Sequence, residues 1–175
     1  MADTPPVPAD GGSDGEARAR AAAHDAGLTV RTIRHGPVRS LVEAAHARGV
    51  EPTDVIKSLV VRRAEDDYVF VLVPGDRNLS WPKLRGLLGV NRLSLPDAAA
   101  AREVTGYERG TITPLGSRRA WPVVADVRMA GRTVTLGGGA HGVALSVDAD
   151  AALTALDAQV ADVSDPADPP ESAPA

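Results

Sequence analysis

Two β-rich runs, Val-Ile-Lys-Ser-Leu-Val-Val-Arg-Arg (55–63) and Tyr-Val-Phe-Val-Leu-Val (68–73), are separated only by Ala-Glu-Asp-Asp. Four residues, three of them acidic, suffice for a tight connection and are too few for a crossover, so the two runs predict an antiparallel hairpin. Shorter segments with strand patterning follow at 122–127, 133–136, 143–147 and 159–163, and one precedes at 28–33. Helical segments fall between them. Glu16 to Ala26 is Ala-rich and stopped by Gly27. Ser40-Leu-Val-Glu43 is a capping box opening a helix to Arg48, ended by Gly49. Trp81 to Leu88 carries Pro82 in its first turn, and Pro96 to Val104 and Asp148 to Leu156 complete the set. Strands outnumber helices and the hairpin favours a mixed or antiparallel sheet with helices outside it, an α+β fold rather than a doubly wound one.

The chain's 175 residues make one ordinary domain. Hydrophobic residues make up 43% but aromatics only 3%, so the core must be built from Val, Leu, Ile and Ala. Residues 1–15 and 164–175 are rich in Pro, Gly, Ala, Ser and Asp and read as disordered tails around a folded unit at 16–163. The acidic, Pro/Gly-rich start lacks the basic and apolar regions of a signal peptide, and no apolar run approaches a membrane span. A soluble, cytoplasmic protein without a membrane partner is expected.

Charge is unevenly placed. All 19 Lys and Arg lie between Arg18 and Arg132, so 18–160 holds 19 basic and 15 acidic residues, a net of +4, although the chain as a whole is at −4. A basic core between acidic ends is compatible with an RNA ligand. With no cysteine, thiol nucleophiles, zinc ribbons and disulfide scaffolds are excluded. GxSxG, GxxxxGK[ST] and HExxH are absent, and His24, His35, His46 and His141 have no metal-ligand spacing.

Three features remain. Of two lysines beside 17 arginines, Lys57 sits inside the strand Val-Ile-Lys-Ser-Leu-Val-Val, sharing a face with Val55, Leu59 and Val61. Burial of an unpartnered ammonium costs several kcal/mol, so Lys57 either snorkels at the rim or faces a polar cavity that needs a point charge. Gly106-Tyr-Glu-Arg-Gly110-Thr-Ile-Thr-Pro114-Leu-Gly116 is too rich in glycine for a helix or strand. It is either an ordinary surface connection or a defined loop whose N–H groups point at a ligand. Leu136-Gly-Gly-Gly-Ala-His141-Gly142 is a strand–turn–strand in which missing Cβ atoms allow close backbone approach.

In this order the three elements resemble the YbaK-type aminoacyl-tRNA editing domain family, which includes the editing domain inserted in bacterial prolyl-tRNA synthetases and free-standing trans-editing proteins. The stretch from His35 to Ala45, VPGDRNLSWPKLRGLLG, WPVVAD and GGGAHGVALSV extend the resemblance over most of the folded unit. It implies a mixed, largely antiparallel, barrel-like β-sheet flanked by helices. It also implies hydrolysis of the ester of a mischarged tRNA without metal, cofactor or covalent intermediate, the free hydroxyl of the terminal ribose helping to activate water. Lys57 matches the family lysine that holds the charged terminal nucleotide. Gly110, Thr111, Ile112, Thr113 and Pro114 match the GxxxP loop that orients the ester, giving Lys57 and Gly110 catalytic roles. Gly138, Gly139 and His141 of the glycine turn join the loop as substrate-binding residues. The implied partners are the acceptor end of a mischarged tRNA and, transiently, an aminoacyl-tRNA synthetase. In the cysteinyl-prolyl branch a basic residue stands at the position of His141 and an Asp at that of Ala144. The alternative to a deacylase is a non-catalytic aminoacyl-tRNA or aminoacyl-nucleotide sensor on the same fold.

Overall fold

The computed structural model describes residues 14–167. Its centre is the expected hairpin: β2 (Ile56–Ala64) and β3 (Asp67–Pro74) pair antiparallel, with Lys57 opposite Val73 and Val61 opposite Val69. Asp66 takes the left-handed conformation of the tight turn (φ 54°). β3 pairs in parallel with β5 (Val123–Asp126), and β5 in parallel with β8 (Gln159–Ala161), giving the order β2-β3-β5-β8. A second, antiparallel sheet has the order β1 (Arg31–Arg34), β7 (Val143–Asp148), β6 (Thr133–Gly137). The third pairs β4 (Arg77–Leu79) with β9 (Ser164–Pro166). Five α-helices are described: α1 (Asp14–Asp25), α2 (Leu41–Arg48), α3 (Trp81–Leu88), α4 (Ala98–Thr105) and α5 (Ala149–Ala155). None is long and apolar enough to cross a membrane.

β3 divides two cores by the period-2 alternation of its side chains. Val69, Val71 and Val73 join Val61, Leu84, Val124 and Val163 on one side. Tyr68, Phe70 and Leu72 join a larger cluster on the other, with Leu136 and Leu145 of the second sheet, Ala19 and Ala23 of α1, and Ala152 of α5. Each large side chain removed from water there contributes about 1.5–3 kcal/mol, which is how a core poor in aromatics holds. Local signals act as their chemistry predicts. Ser40 Oγ accepts the Glu43 N–H at 3.1 Å, while the Glu43 carboxylate accepts the Arg39 N–H at 2.8 Å, one residue before the usual reciprocal bond.

The structure departs from the sequence expectations in four places. The sheets are mixed and largely antiparallel but do not close into a barrel: among the described residues β2 and β6 are not paired, and Val55, the residue before β2, makes a single bridge to Thr135 of β6. Leu28 to Val30 are not strand; after the Gly27 turn Leu28 is drawn into the larger core. Ser164–Pro166, expected in a disordered tail, forms β9, and Asp14 and Gly15 open α1. The remaining tail residues, 1–13 and 168–175, lie outside those described.

The C-terminal segment is held by Asp126 at the end of β5, a fully buried carboxylate. It accepts hydrogen bonds from Ser164 Oγ at 2.7 Å, Arg128 N at 3.0 Å and Val163 N at 3.1 Å, and pairs with the Arg128 guanidinium at 3.2 Å. Burial pushes this carboxyl up, yet the bonds from Ser164, Arg128 and Val163 outweigh it and its pKa lies below the ordinary Asp value. Exposed Asp162 is drawn to about 2 by Arg128 and Lys83. Both groups are depressed in the folded state, so the stability they lend is present above the unfolded value near pH 4 and lost as pH falls through the folded values. Asp126→Ala is expected to lower stability by about 3 kcal/mol at neutral pH and to flatten the acid limb of the stability profile; denaturant melts between pH 7 and pH 3 check both effects.

Candidate functional site

The free edge of β2 is tied at two points. Val55 bridges Thr135, and Arg62 exchanges both main-chain bonds with Ser94, at 2.8 and 3.2 Å. Between these ties the edge has no neighbouring strand among the described residues. Because strand residues alternate the edge to which they present N–H and C=O, the pairing of Arg62 places the main-chain groups of Val60 and Ser58 on the open side. A cleft of about 700 Å³ lies along it, lined by Ile56 to Val60, by α2 and the segment before it, by Leu95 and Pro96, and by Gly110, Ile112 and Gly137 opposite. Among the described residues four cations line it, Arg39, Arg48, Lys57 and Arg109, and no carboxylate does.

Lys57 is half-buried in this cleft, where its ammonium donates to the carbonyl of Arg77. Burial pushes its pKa below the ordinary lysine value and Asp76 pulls it partly back. An ammonium has three protons, and one carbonyl accepts one of them. Two polar groups that the sequence did not single out share the cleft. Ser58 Oγ and Arg48 Nε are both buried and have no hydrogen-bond partner among the described residues. The Arg48 Nη1 donates to Thr135 Oγ1 at 3.0 Å, and desolvation lowers the guanidinium's pKa. A signal for Ser58 did exist in the sequence: a lone hydroxyl between Ile56 and Val60 on an otherwise apolar face. Arg48 gave none, since the last residue of a surface helix is commonly basic.

The loop across the cleft is defined rather than loose. Buried Tyr107 donates from its hydroxyl to Leu115 O at 2.6 Å, closing the base of the loop. Thr111 donates from N and Oγ1 to Glu108 O at 2.9 and 2.7 Å, and Thr113 Oγ1 accepts the Leu115 N–H at 3.3 Å. Gly110 sits at φ +87°, left-handed backbone that favours glycine, and a Cβ there would lie 3.7 Å from His141 Cε1. The N–H groups of Gly110 and Ile112, both cleft residues, donate to no described residue. The glycine turn supports the loop from behind: Gly139 N donates to Thr111 O at 3.2 Å, and a Cβ on Gly137 would meet Ile112 O at 2.7 Å.

Of the residues expected to form a site, Lys57, Gly110 and Ile112 meet in the cleft. Thr111, Gly139 and His141 line a neighbouring cavity of about 660 Å³ with Tyr107 and Glu108. There His141 Nε2 lies 3.3 Å from the Glu108 carboxylate, both side chains exposed. Thr113, Pro114 and Gly138 line neither cavity: Thr113 is fully buried, and Gly138 N is bonded to Val143 O. Among the described residues no three His, Asp or Glu side chains come together as a metal-ligand group.

The sequence profile of the aminoacyl-tRNA editing domain matches residues 35–154. The chain is 37% identical over 97 residues to proline–tRNA ligase of Thermosipho melanesiensis, which is 55% of this chain and 17% of the ligase. It is 32% identical over 118 residues to that of Heliobacterium modesticaldum, 65% of this chain and 20% of the ligase. The chain thus spans a fifth or less of these curated relatives. The crystal structure of a candidate trans-editing enzyme for prolyl tRNA synthetase superposes with a TM-score of 0.79 at 29% identity, covering 87% of this chain and 98% of the other.

Gly137→Ala isolates the contact between turn and loop, since this position needs no left-handed backbone. Overpacking against the Ile112 carbonyl is expected to cost about 1–3 kcal/mol, read by chemical denaturation.

Proposed function

The chain belongs to the aminoacyl-tRNA editing domain family, and we propose that it is a trans-editing deacylase, hydrolysing the ester between a wrong amino acid and the acceptor end of its tRNA. The observation that carries this reading is the cleft itself: a cationic wall without carboxylates faces a fixed loop whose Gly110 and Ile112 N–H groups have no partner among the described residues. A cationic cleft suits the phosphates of a terminal nucleotide. Amides held in place suit the oxyanion of an ester under attack, because donors that need not reorganise stabilise developing charge most effectively.

In this mechanism Lys57 grips the phosphate of the terminal nucleotide with the two protons that Arg77 leaves over. The Gly110–Pro114 loop sets the aminoacyl carbonyl against its amides. Water attacks that carbonyl, helped by the free ribose hydroxyl, and the tetrahedral intermediate releases the tRNA hydroxyl and the amino acid. An aminoacyl ester is activated already, so positioning and oxyanion stabilisation suffice without protein nucleophile, metal or cofactor. Ser58 and Arg48 add polar contacts for the substrate on the same floor. His141, beside Gly110, borders the site from the adjoining cavity. The deacylase acts in the cytoplasm and meets its substrate alone or in transient association with a synthetase.

The test is loss of the aminoacyl ester from tRNAs mischarged with Ala, Ser, Thr and Cys. One or two should be hydrolysed, and Lys57→Ala should reduce the rate about 100-fold, the scale of a misplaced substrate, with an unchanged melting temperature. Gly110→Val should lower it about tenfold or more, because the left-handed backbone costs a β-branched residue about 1–3 kcal/mol. Tight binding of the tRNAs with no turnover of any would replace the deacylase by the sensor.

A further inference from the structure

The charged side chains of the cleft offer donors only. Arg39, Arg48, Lys57 and Arg109 present N–H groups, and the Gly110 and Ile112 amides opposite add two more. The acceptors that β2 brings are uncharged. Ser58 Oγ is buried and has no hydrogen-bond partner among the described residues. A buried hydroxyl is seldom left so in a native protein. Beside it lie the main-chain carbonyls of Ser58 and Val60, on the open edge of the strand. Phe70, which stands opposite Val60 on β3, donates the other way, to Pro122 O at 2.8 Å, so β3 does not use the Val60 groups either.

The edge is open for a local reason. Ser94 exchanges main-chain bonds with Arg62, and the next bonded pair of an antiparallel ladder would join Pro96 to Val60. Pro96 has no N–H to give, and Asp97 then caps α4 by accepting the Ala100 N–H at 2.8 Å. The connection therefore leaves β2 where the cleft begins.

Neighbours on a strand point to opposite faces, so Lys57 and Ser58 address the two sides of this edge. Lys57 reaches towards β4, where it donates to the Arg77 carbonyl. Ser58 shares its face with Ile56 and Val60, which belong to the larger core, and Ile112 of the loop packs against that core. The loop and the Ser58 hydroxyl thus lie on one side, and the lysine ammonium on the other. An aminoacyl ester with its phosphate on Lys57 and its carbonyl at the loop has one strong donor of its own on the loop's side. That donor is the α-amino group, two bonds from the carbonyl carbon. Among four cations and no carboxylate it needs uncharged acceptors, and Ser58 supplies two, Oγ and the main-chain carbonyl.

We propose that Ser58 recognises the free α-amino group of the substrate, so that the site hydrolyses aminoacyl esters and passes over esters whose amine is acylated. The proposal rests on the deacylase reading for the ester in the cleft and adds its selectivity. Acylation removes the amine's charge and leaves it a single proton, so the two acceptors of Ser58 lose their charged donor. Such a site spares the peptidyl and N-formylated esters of tRNA that translation itself requires.

Hydrolysis of a mischarged tRNA is compared with that of the same tRNA after acetylation of its α-amine, for the wild type, Ser58→Ala and Ser58→Thr. Loss of two hydrogen bonds from a charged donor should separate the two esters by about 100-fold in kcat/KM. Ser58→Ala should lower the rate on the free-amine ester about tenfold and leave the slower acetylated rate unchanged. Ser58→Thr, which keeps the hydroxyl, should restore the preference. Equal wild-type rates on the two esters, or an equal loss on both in Ser58→Ala, overturns the proposal. The wild-type comparison needs no variant, so it decides even if Ser58→Ala melts early. Binding is read separately with hydrolysis-resistant, amide-linked alanyl and seryl adenosine monophosphates, each with a free or an acetylated amine. If no mischarged tRNA is hydrolysed while the wild type binds the free-amine analogues more tightly and Ser58→Ala narrows that gap, the deacylase reading fails and the amine site stands. If hydrolysis proceeds at equal rates on both esters, the amine site fails and the deacylase stands. Absence of both turnover and binding preference overturns both.

Discussion

The candidate site of this fold depends on one edge of one strand. β2 is paired with β3 along its length on one side, while on the other, among the described residues, it is tied at Arg62 and, just before its start, at Val55. A strand edge left open in this way presents main-chain donors and acceptors to whatever approaches, which most proteins avoid by covering it. Here the two ties keep the edge in place while α2 and the Gly106–Gly116 loop rise on either side, so the exposed groups line the floor of a cleft. The same parting of β2 from β6 that prevents barrel closure makes the cleft.

The opposite wall depends on the absence of side chains. Gly137 lets the turn approach the Ile112 carbonyl more closely than any Cβ would permit, and Gly139 donates to Thr111. Tyr107 closes the loop through Leu115 and Thr113 bonds its own backbone, so Thr113 serves the loop's shape instead of facing a ligand. The loop's chemistry is therefore that of its amides. This fits a reaction in which substrate supplies the activated bond and the protein supplies position.

Charge completes the arrangement by what is cancelled. Acidic residues near the C-terminal segment and on α1 engage arginines and Lys83 on those faces, while among the described residues the charged side chains lining the cleft and the depression beyond Ser94 are all cationic. Asp126 links these themes. It anchors Val163 and Ser164, which hold β9 against β4, whose Arg77 carbonyl in turn receives Lys57. A buried carboxylate far from any chemistry thus helps determine where the cleft's lysine points.

What depends on neighbours along the chain was legible in the order of the residues. The hairpin, the Ser40 and Gly49 ends of α2, Pro82 in α3 and the two glycine-rich segments all follow from spacing, capping and turn chemistry, which act over a few residues. Lys57 and the Gly110–Pro114 loop were legible as oddities, a charge in an apolar strand and a loop too rich in glycine for regular structure. Tertiary structure alone decided that Lys57, Gly110 and Ile112 share a cleft and that Thr111 and His141 face the next one. It also recruited Arg48 and Ser58, and drew Ser164–Pro166 out of the tail. The reason is physical: these arrangements join residues about 30 to 90 positions apart in the chain, and no local propensity reports whether a buried hydroxyl finds a mate or a polar tail finds a strand to pair with.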